Sequence, residues 1–391
     1  MKFKEVIGQD DVKERLRRSV SENRVSHAQL FLGDEGCGKL PLAIAYAQYI
    51  NCKNRTYEDS CGECASCKKY EKLIHPDLHF IYPINKTKEV DSKKITSADF
   101  LTFWRELMLE KDGYISLLEW YEKIGIEKQQ ALINAEDADT INQKLAYKSY
   151  EAEYKVMIIW MPEKMNITSA NKLLKNLEEP PEKTLFILVS EDKEQIIPTI
   201  LSRAQLVKIP HLKDEEIQQA LIEKYKMPAV EANTLAKCAN GNLSHVLLSV
   251  NKNKLSSALL EAEKERFTLF REWMRKCYTV MPRLKDYVLL QDIITQLIGD
   301  GSREKQKDML IYGLEMFRLC LQWNIGNSHV VKMPDEEREF IEKFSPFIHP
   351  NNIHLLEQEF NKALVHIERN ANPNIIFTDL SLLTGQILKM K

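Results

Sequence analysis

Residues 33–40 read Gly-Asp-Glu-Gly-Cys-Gly-Lys-Leu, the phosphate-loop pattern G-x-x-x-x-G-K-[ST] with its last position lost. This feature constrains the fold most, because such a loop works only where a strand runs into it and a helix runs out of it. Gly33, Gly36 and Gly38 let backbone N–H groups wrap phosphates, and Lys39 reaches the outer ones. Leu40 stands where a Ser or Thr hydroxyl would hold Mg²⁺, and it has no oxygen to offer. The flanks fit the context. Gln29-Leu30-Phe31-Leu32 reads as a short strand entering the loop, and Leu40 to Ile50 as the helix leaving it. The expectation is a scaffold for a nucleotide site from which one catalytic part is missing.

The surrounding sequence reads as α/β. Val156-Met157-Ile158-Ile159-Trp160 and Leu185-Phe186-Ile187-Leu188-Val189 are uninterrupted apolar runs, as strands of a parallel sheet buried on both faces should be. Between them Ser169 to Leu177 predicts a helix, with Leu173, Leu174 and Leu177 on one face and Pro180-Pro181 as its stop. Residues 1–210 are therefore expected to form one core with a parallel sheet. Residues 86–125 are polar with a helical pattern, and Phe100, Phe103, Trp104 and Leu107 share one face, so they read as an insertion packed on that core. Strand signals end at His211. Residues 211–252 predict two short helices over Lys213 to Ala239, a turn at Gly241-Asn242 and a third helix. Asn251-Lys252-Asn253-Lys254 reads as a linker. Residues 253–391 read as all-α, with Leu310, Leu314, Phe317 and Leu321 in one stripe.

Charge narrows the function. The 55 basic and 57 acidic side chains nearly cancel at −2, which argues against a free-standing DNA binder and for DNA contact that is local or shared with other subunits. Arg15, Arg17 and Arg18 cluster on a helix but read as a solvated face. No apolar run approaches the ~18 residues of a membrane span, and the first residues lack the apolar core of a signal peptide. A cytoplasmic location without membrane contact is expected, in which cysteines serve as thiols or metal ligands. Cys52, Cys61, Cys64 and Cys67 lie within sixteen residues with two C-x-x-C pairs, the spacing of tetrahedral Zn²⁺. Four protein ligands leave no open position, so that zinc is expected to be structural. Cys37, Cys238, Cys277 and Cys320 are scattered and read as buried thiols.

Catalysis needs a second element, an acidic residue at the end of a neighbouring buried strand. Here that strand ends Trp160-Met161-Pro162-Glu163. Trp160 and Met161 cannot do the work, and Glu163 lies three residues too far along and behind a proline. Arg203, at the end of Pro198-Thr199-Ile200-Leu201-Ser202-Arg203, reads either as a solvated charge or as an arginine finger acting on a neighbour's ATP.

Together these residues resemble the delta-prime family of bacterial DNA polymerase III clamp-loader subunits, within the AAA+ superfamily. The resemblance rests on Val6-Ile7-Gly8-Gln9, on His27-Ala28-Gln29-Leu30-Phe31-Leu32-Gly33 and on the four-cysteine module followed by His75-Pro76-Asp77. Its most specific piece is Asn171-Lys172-Leu173-Leu174-Lys175-Asn176-Leu177-Glu178-Glu179-Pro180-Pro181, joined later by Pro198 to Arg203 and by Arg369-Asn370-Ala371-Asn372-Pro373. Only the insertion at 86–125 falls outside the pattern. The resemblance implies an AAA+ core, a helical lid at 211–252 and a helical collar at 253–391 that joins five subunits into a ring. It implies that Arg203 is a finger presented in trans, in a Ser202-Arg203-Ala204 triplet where the family has Ser-Arg-Cys. Trp160 and Met161 fall in the places of the Asp-Glu pair of active subunits, and Ser244 in that of their nucleotide-sensing arginine. Gly33, Gly36, Gly38 and Lys39 would then bind nucleotide weakly or not at all, with ATP and Mg²⁺ in doubt. The implied partners are the gamma/tau and delta subunits, with the sliding clamp and primed DNA reached through the assembled ring. Two alternatives remain at this stage: an active gamma/tau-like ATPase using Glu163, and a zinc-stabilised adaptor without a replication role.

Overall fold

A computed structural model describes all residues except 88–89, 91–93, 127–128, 251–254, 281–286, 300–301, 327–334 and 391. The linker read at 251–254 thus lies outside the described residues. The chain divides into two compact units, Met1–Asn251 and Lys252–Lys391.

The first unit is built on five parallel strands: β1 (Ala28–Leu32), β2 (Leu78–Ile81), β3 (Lys155–Trp160), β4 (Thr184–Ser190) and β5 (Gln205–Lys208), in the order β2-β3-β4-β1-β5. β3 and β4 are buried along their whole length because both faces are covered. Their side chains alternate between two apolar layers. Leu185, Ile187 and Val189 join one, with Val156, Ile158 and Trp160; Phe186 and Leu188 join the other, with Met157 and Ile159. The predicted strands are present. β2 and β5 are additions: β2 is only four residues long with a histidine in it, and β5 is a mostly exposed edge.

The helices of this unit are α1 (Asp10–Ser21), α2 (Lys39–Ile50), α3 (Ala65–Glu71), α4 (Leu101–Glu110), α5 (Leu117–Ile124), α6 (Ala135–Ala146), α7 (Ile167–Glu178), α8 (Pro198–Leu201), α9 (Asp214–Glu223), α10 (Ala229–Cys238) and α11 (Leu243–Val250). α2 is buried on every side, as its Ala- and Ile-rich sequence allows. α7 starts at Asn166, whose side chain accepts from Ser169 N–H at 2.7 Å, and stops before Pro180-Pro181. The insertion supplies α4 and α5. Its Trp104 and Trp120 pack with Tyr82 and Trp160 at ring distances of 4.1–5.3 Å, so it shares the core of the sheet's first layer.

The second unit is helical: α12 (Leu255–Val280), α13 (Tyr287–Ile298), α14 (Arg303–Asn324), α15 (Asp335–Phe344), α16 (Ile353–Glu368) and α17 (Pro373–Ile387). Its core gathers Phe270, Trp273, Phe317, Phe360 and Phe377. α12 and α17 meet closely at Gly385, where an added Cβ would lie 2.1 Å from the Cys277 carbonyl oxygen. Of the expected stripe, Leu310 and Phe317 are buried and Leu314 packs against the same cluster, while Leu321 is half-buried and is not part of it.

Candidate nucleotide and metal sites

β1 lies between β4 and β5, yet the chain leaves it for β2 at the far edge, so the loop after β1 occupies a switch point of the sheet. That loop holds the predicted phosphate-binding residues. Gly36 and Gly38 take left-handed conformations with φ of 70° and 90°, and Gly38 caps the start of α2. Lys39, at 6% exposure, already has partners: its ammonium donates to the Asp34 carbonyl at 2.6 Å and lies 3.4 Å from Glu191 Oε1. Leu40 is buried in the apolar layer.

The end of β3 carries no acid. Trp160 is turned into the aromatic cluster, and Met161 is buried in the same layer. Glu163 sits in the turn after β3 with both oxygens engaged, accepting from the Ser190 hydroxyl at 2.8 Å and from Glu191 N–H at 3.2 Å. Burial pushes its carboxyl up to about 7, against those two donors. Ser244 is buried at the start of α11 and lines the same cleft as Lys39.

Some contacts at the cleft carry no signal in the sequence, among them those of Asn242, which reads there only as part of a turn. Tyr114 stands over Gly38, with its hydroxyl accepting from Ile7 N–H at 2.9 Å. Asn242 lies on Gly36 and donates to Glu35 Oε1 at 3.2 Å, while Leu243 N–H reaches the Gly36 carbonyl at 3.3 Å. These contacts join segments far apart in the chain, so no local spacing announces them.

Arg203 follows α8 and is not drawn into the phosphate loop. Its guanidinium pairs with Glu178 Oε1 at 2.5 Å and donates to the Thr199 carbonyl at 2.8 Å. Arg203 and Glu178 are both solvent-accessible, and an exposed pair is worth about 0–1 kcal/mol, so it gives way readily to a better anion.

The four cysteines come together beyond the far end of α2, whose twelve residues span about 18 Å from the phosphate loop. Their sulfurs all lie within 4.8 Å of one another, with Cys52–Cys61 at 3.5 Å and Cys61–Cys67 at 3.9 Å. A tetrahedral metal with metal–sulfur bonds of about 2.3 Å needs sulfurs about 3.8 Å apart, so the set fits such an ion. Backbone N–H groups of Cys61, Cys64 and Cys67 point at the sulfurs of Cys52, Cys61 and Cys64 at 3.2–3.5 Å, donors that favour thiolates. The module also anchors the first residues: Asp59 accepts from Phe3 and Lys4 N–H at 3.0 Å each, and Lys2 Nζ donates to the Cys61 carbonyl at 3.1 Å. Cys37, Cys277 and Cys320 are buried thiols; the side chain of Cys238 lies outside the described set. Arg17 pairs with Glu14 of its own helix and Arg18 with Glu22 just past its end. Among the described residues no helix is long and apolar enough to cross a membrane.

Comparison with known proteins adds the family. A family model described as DNA polymerase III, delta subunit, matches residues 8–213. The DNA polymerase III subunit delta' of Bacillus subtilis (strain 168) is 27% identical over 315 residues, 80% of this chain and 77% of that protein. A DNA polymerase III subunit tau/gamma of Haemophilus influenzae is 28% identical over 248 residues, 62% of this chain but only 29% of that protein.

Proposed function

The chain belongs to the DNA polymerase III delta subunit family, and on that premise we propose that it is a clamp-loader subunit that does not hydrolyse ATP. It works in trans. One observation carries this reading: both halves of the catalytic metal site are replaced by buried apolar side chains, Leu40 in the loop and Trp160 at the strand end. A Mg²⁺ ion held by the loop would find neither a hydroxyl nor a carboxylate. Glu163 is not a ready substitute, because both its oxygens are bonded and burial favours the neutral form of its carboxyl.

Arg203 is the residue offered to a neighbour. Its latch to Glu178 is an exposed pair and yields to a triphosphate, whose charge the guanidinium meets bidentately. Residues 1–210 serve as the AAA+ core, 211–252 as its lid and 253–391 as the collar that holds the ring. Gamma/tau and delta subunits are the partners, and the ring they complete seats the sliding clamp on primed DNA. Cys52, Cys61, Cys64 and Cys67 hold a structural zinc, which with four protein ligands supplies folding energy and no chemistry.

The test is reconstitution with gamma/tau and delta subunits. Arg203→Ala should cut turnover at the adjoining ATP site by about 10³-fold or more, with assembly unchanged on gel filtration. Unaltered turnover and clamp loading would remove the trans role. Magnesium-dependent hydrolysis by the isolated chain, lost in Lys39→Ala, would overturn the silent-subunit reading itself.

A further inference from the structure

The stretch read as an insertion at 86–125 sets a side chain against the phosphate loop. α4 and α5 are joined by a tight turn. Gly113 takes φ of 77° and its N–H returns to the Met108 carbonyl at 2.9 Å, and Tyr114 N–H bonds the Lys111 carbonyl at 2.9 Å. A buried ion pair, Lys111 Nζ to Glu119 Oε1 at 2.9 Å, closes the base of this turn. Glu119 also caps α5, accepting from Ser116 N–H at 2.9 Å, so its charge is well satisfied. The turn therefore holds Tyr114 firmly, and its side chain is only 2% exposed.

Tyr114 closes over the phosphate loop at Gly38. A Cβ at Gly38 would meet its hydroxyl oxygen at 3.3 Å and its Cε1 at 3.4 Å. The cavity left between the loop, Tyr114, Trp160 and Ser244 measures about 20 Å³. That holds one water, whereas small-molecule sites run to roughly 300–1,000 Å³.

Tyr114 and its turn also link the first residues and the helices after the core to the loop. The hydroxyl ties the loop region to Ile7. Asp112 pairs with Lys224, just past α9, at 2.9 Å. On the other flank Asn242 and Leu243 close directly on Gly36 and Glu35. The phosphate loop, the Ile7 segment and the 211–250 helices are thus joined to one another by direct protein contacts.

We propose that Tyr114 is a built-in occupant of the phosphate loop, a side chain that stands in for nucleotide, excludes it and holds the loop and the 211–252 helices in one arrangement. This goes beyond the silent-subunit reading, which would survive nucleotide binding without turnover.

Equilibrium titration of the full chain with a fluorescent ATP analogue, with and without Mg²⁺, tests it. Wild type and Tyr114→Phe, which keeps the ring, should show no saturable binding. Tyr114→Ala should bind at least about tenfold more tightly than the wild-type limit, and Lys39→Ala in that background should abolish the gain. Hydrogen exchange gives a second readout, because loss of the ring should raise exchange at the Leu243 amide without added nucleotide. Saturable, Lys39-dependent binding by wild type would overturn the proposal, and needs no variant to fold. So would a folded Tyr114→Ala chain that neither binds nor exchanges faster. Neither result would by itself revive hydrolysis.

Discussion

Glu163 is a carboxyl buried beside Ser190 and Glu191, and burial raises its pKa to about 7 from the ordinary 4.5. The folded state then binds the proton more tightly than the unfolded one. The contribution to stability is complete below pH 4.5 and is lost as pH rises to about 7. Asp137, pushed up to about 6 by burial, acts with the same sign, so only a comparison isolates Glu163. Glu163→Gln should gain stability relative to wild type as pH rises from 5 to 8 in paired thermal melts. Parallel curves would mean that the carboxyl pays no burial penalty. A second residue-scale expectation concerns the cysteines. Elemental analysis should find one zinc per chain, and Cys61→Ser should lose it and lower the melting temperature of Met1–Asn251. The cysteine set and the loop glycines were legible because their chemistry depends on local spacing. Tyr114, Glu191 and the reach of Asn242 to Gly36 were not, because each depends on a contact made only when distant segments fold together.

Elements differ in the same way. β3 and β4 announce themselves as unbroken apolar runs because helices cover both sheet faces. β5 does not, since an edge strand with exposed Gln205 and Leu206 has no such demand on its composition. The insertion was legible as one amphipathic face packed on the core, but the turn that sets Tyr114 over Gly38 was not. What holds it is packing rather than capping. Ser116→Ala removes the box at the start of α5 and should cost about 1 kcal/mol. Trp104→Ala empties the centre of the aromatic cluster and should cost about 3–5 kcal/mol. Urea unfolding followed by circular dichroism would rank them, and a reversed order would shift the weight to the turn.

At the scale of the whole molecule, Met1–Asn251 and Lys252–Lys391 each close an apolar core of their own. Expressed separately, each is expected to unfold cooperatively, and the 252–391 fragment to keep its helical dichroism. A fragment that remains molten would show that the division in space is not one in stability. The run of Asn and Lys at 251–254, read from the sequence as a linker, falls beside the division between the two units but lies outside the described residues.

Three of the five tryptophans, Trp104, Trp120 and Trp160, stand within one aromatic contact network that joins the insertion to the end of β3. Indoles at 5.2–5.3 Å couple their electronic transitions. The near-ultraviolet dichroism and emission of this chain should therefore carry an unusually large signal from a single place. Lifting the insertion from the sheet would separate the chromophores and change both at once. The protein thus contains an optical gauge of whether its loop is closed, readable in a cuvette without a label.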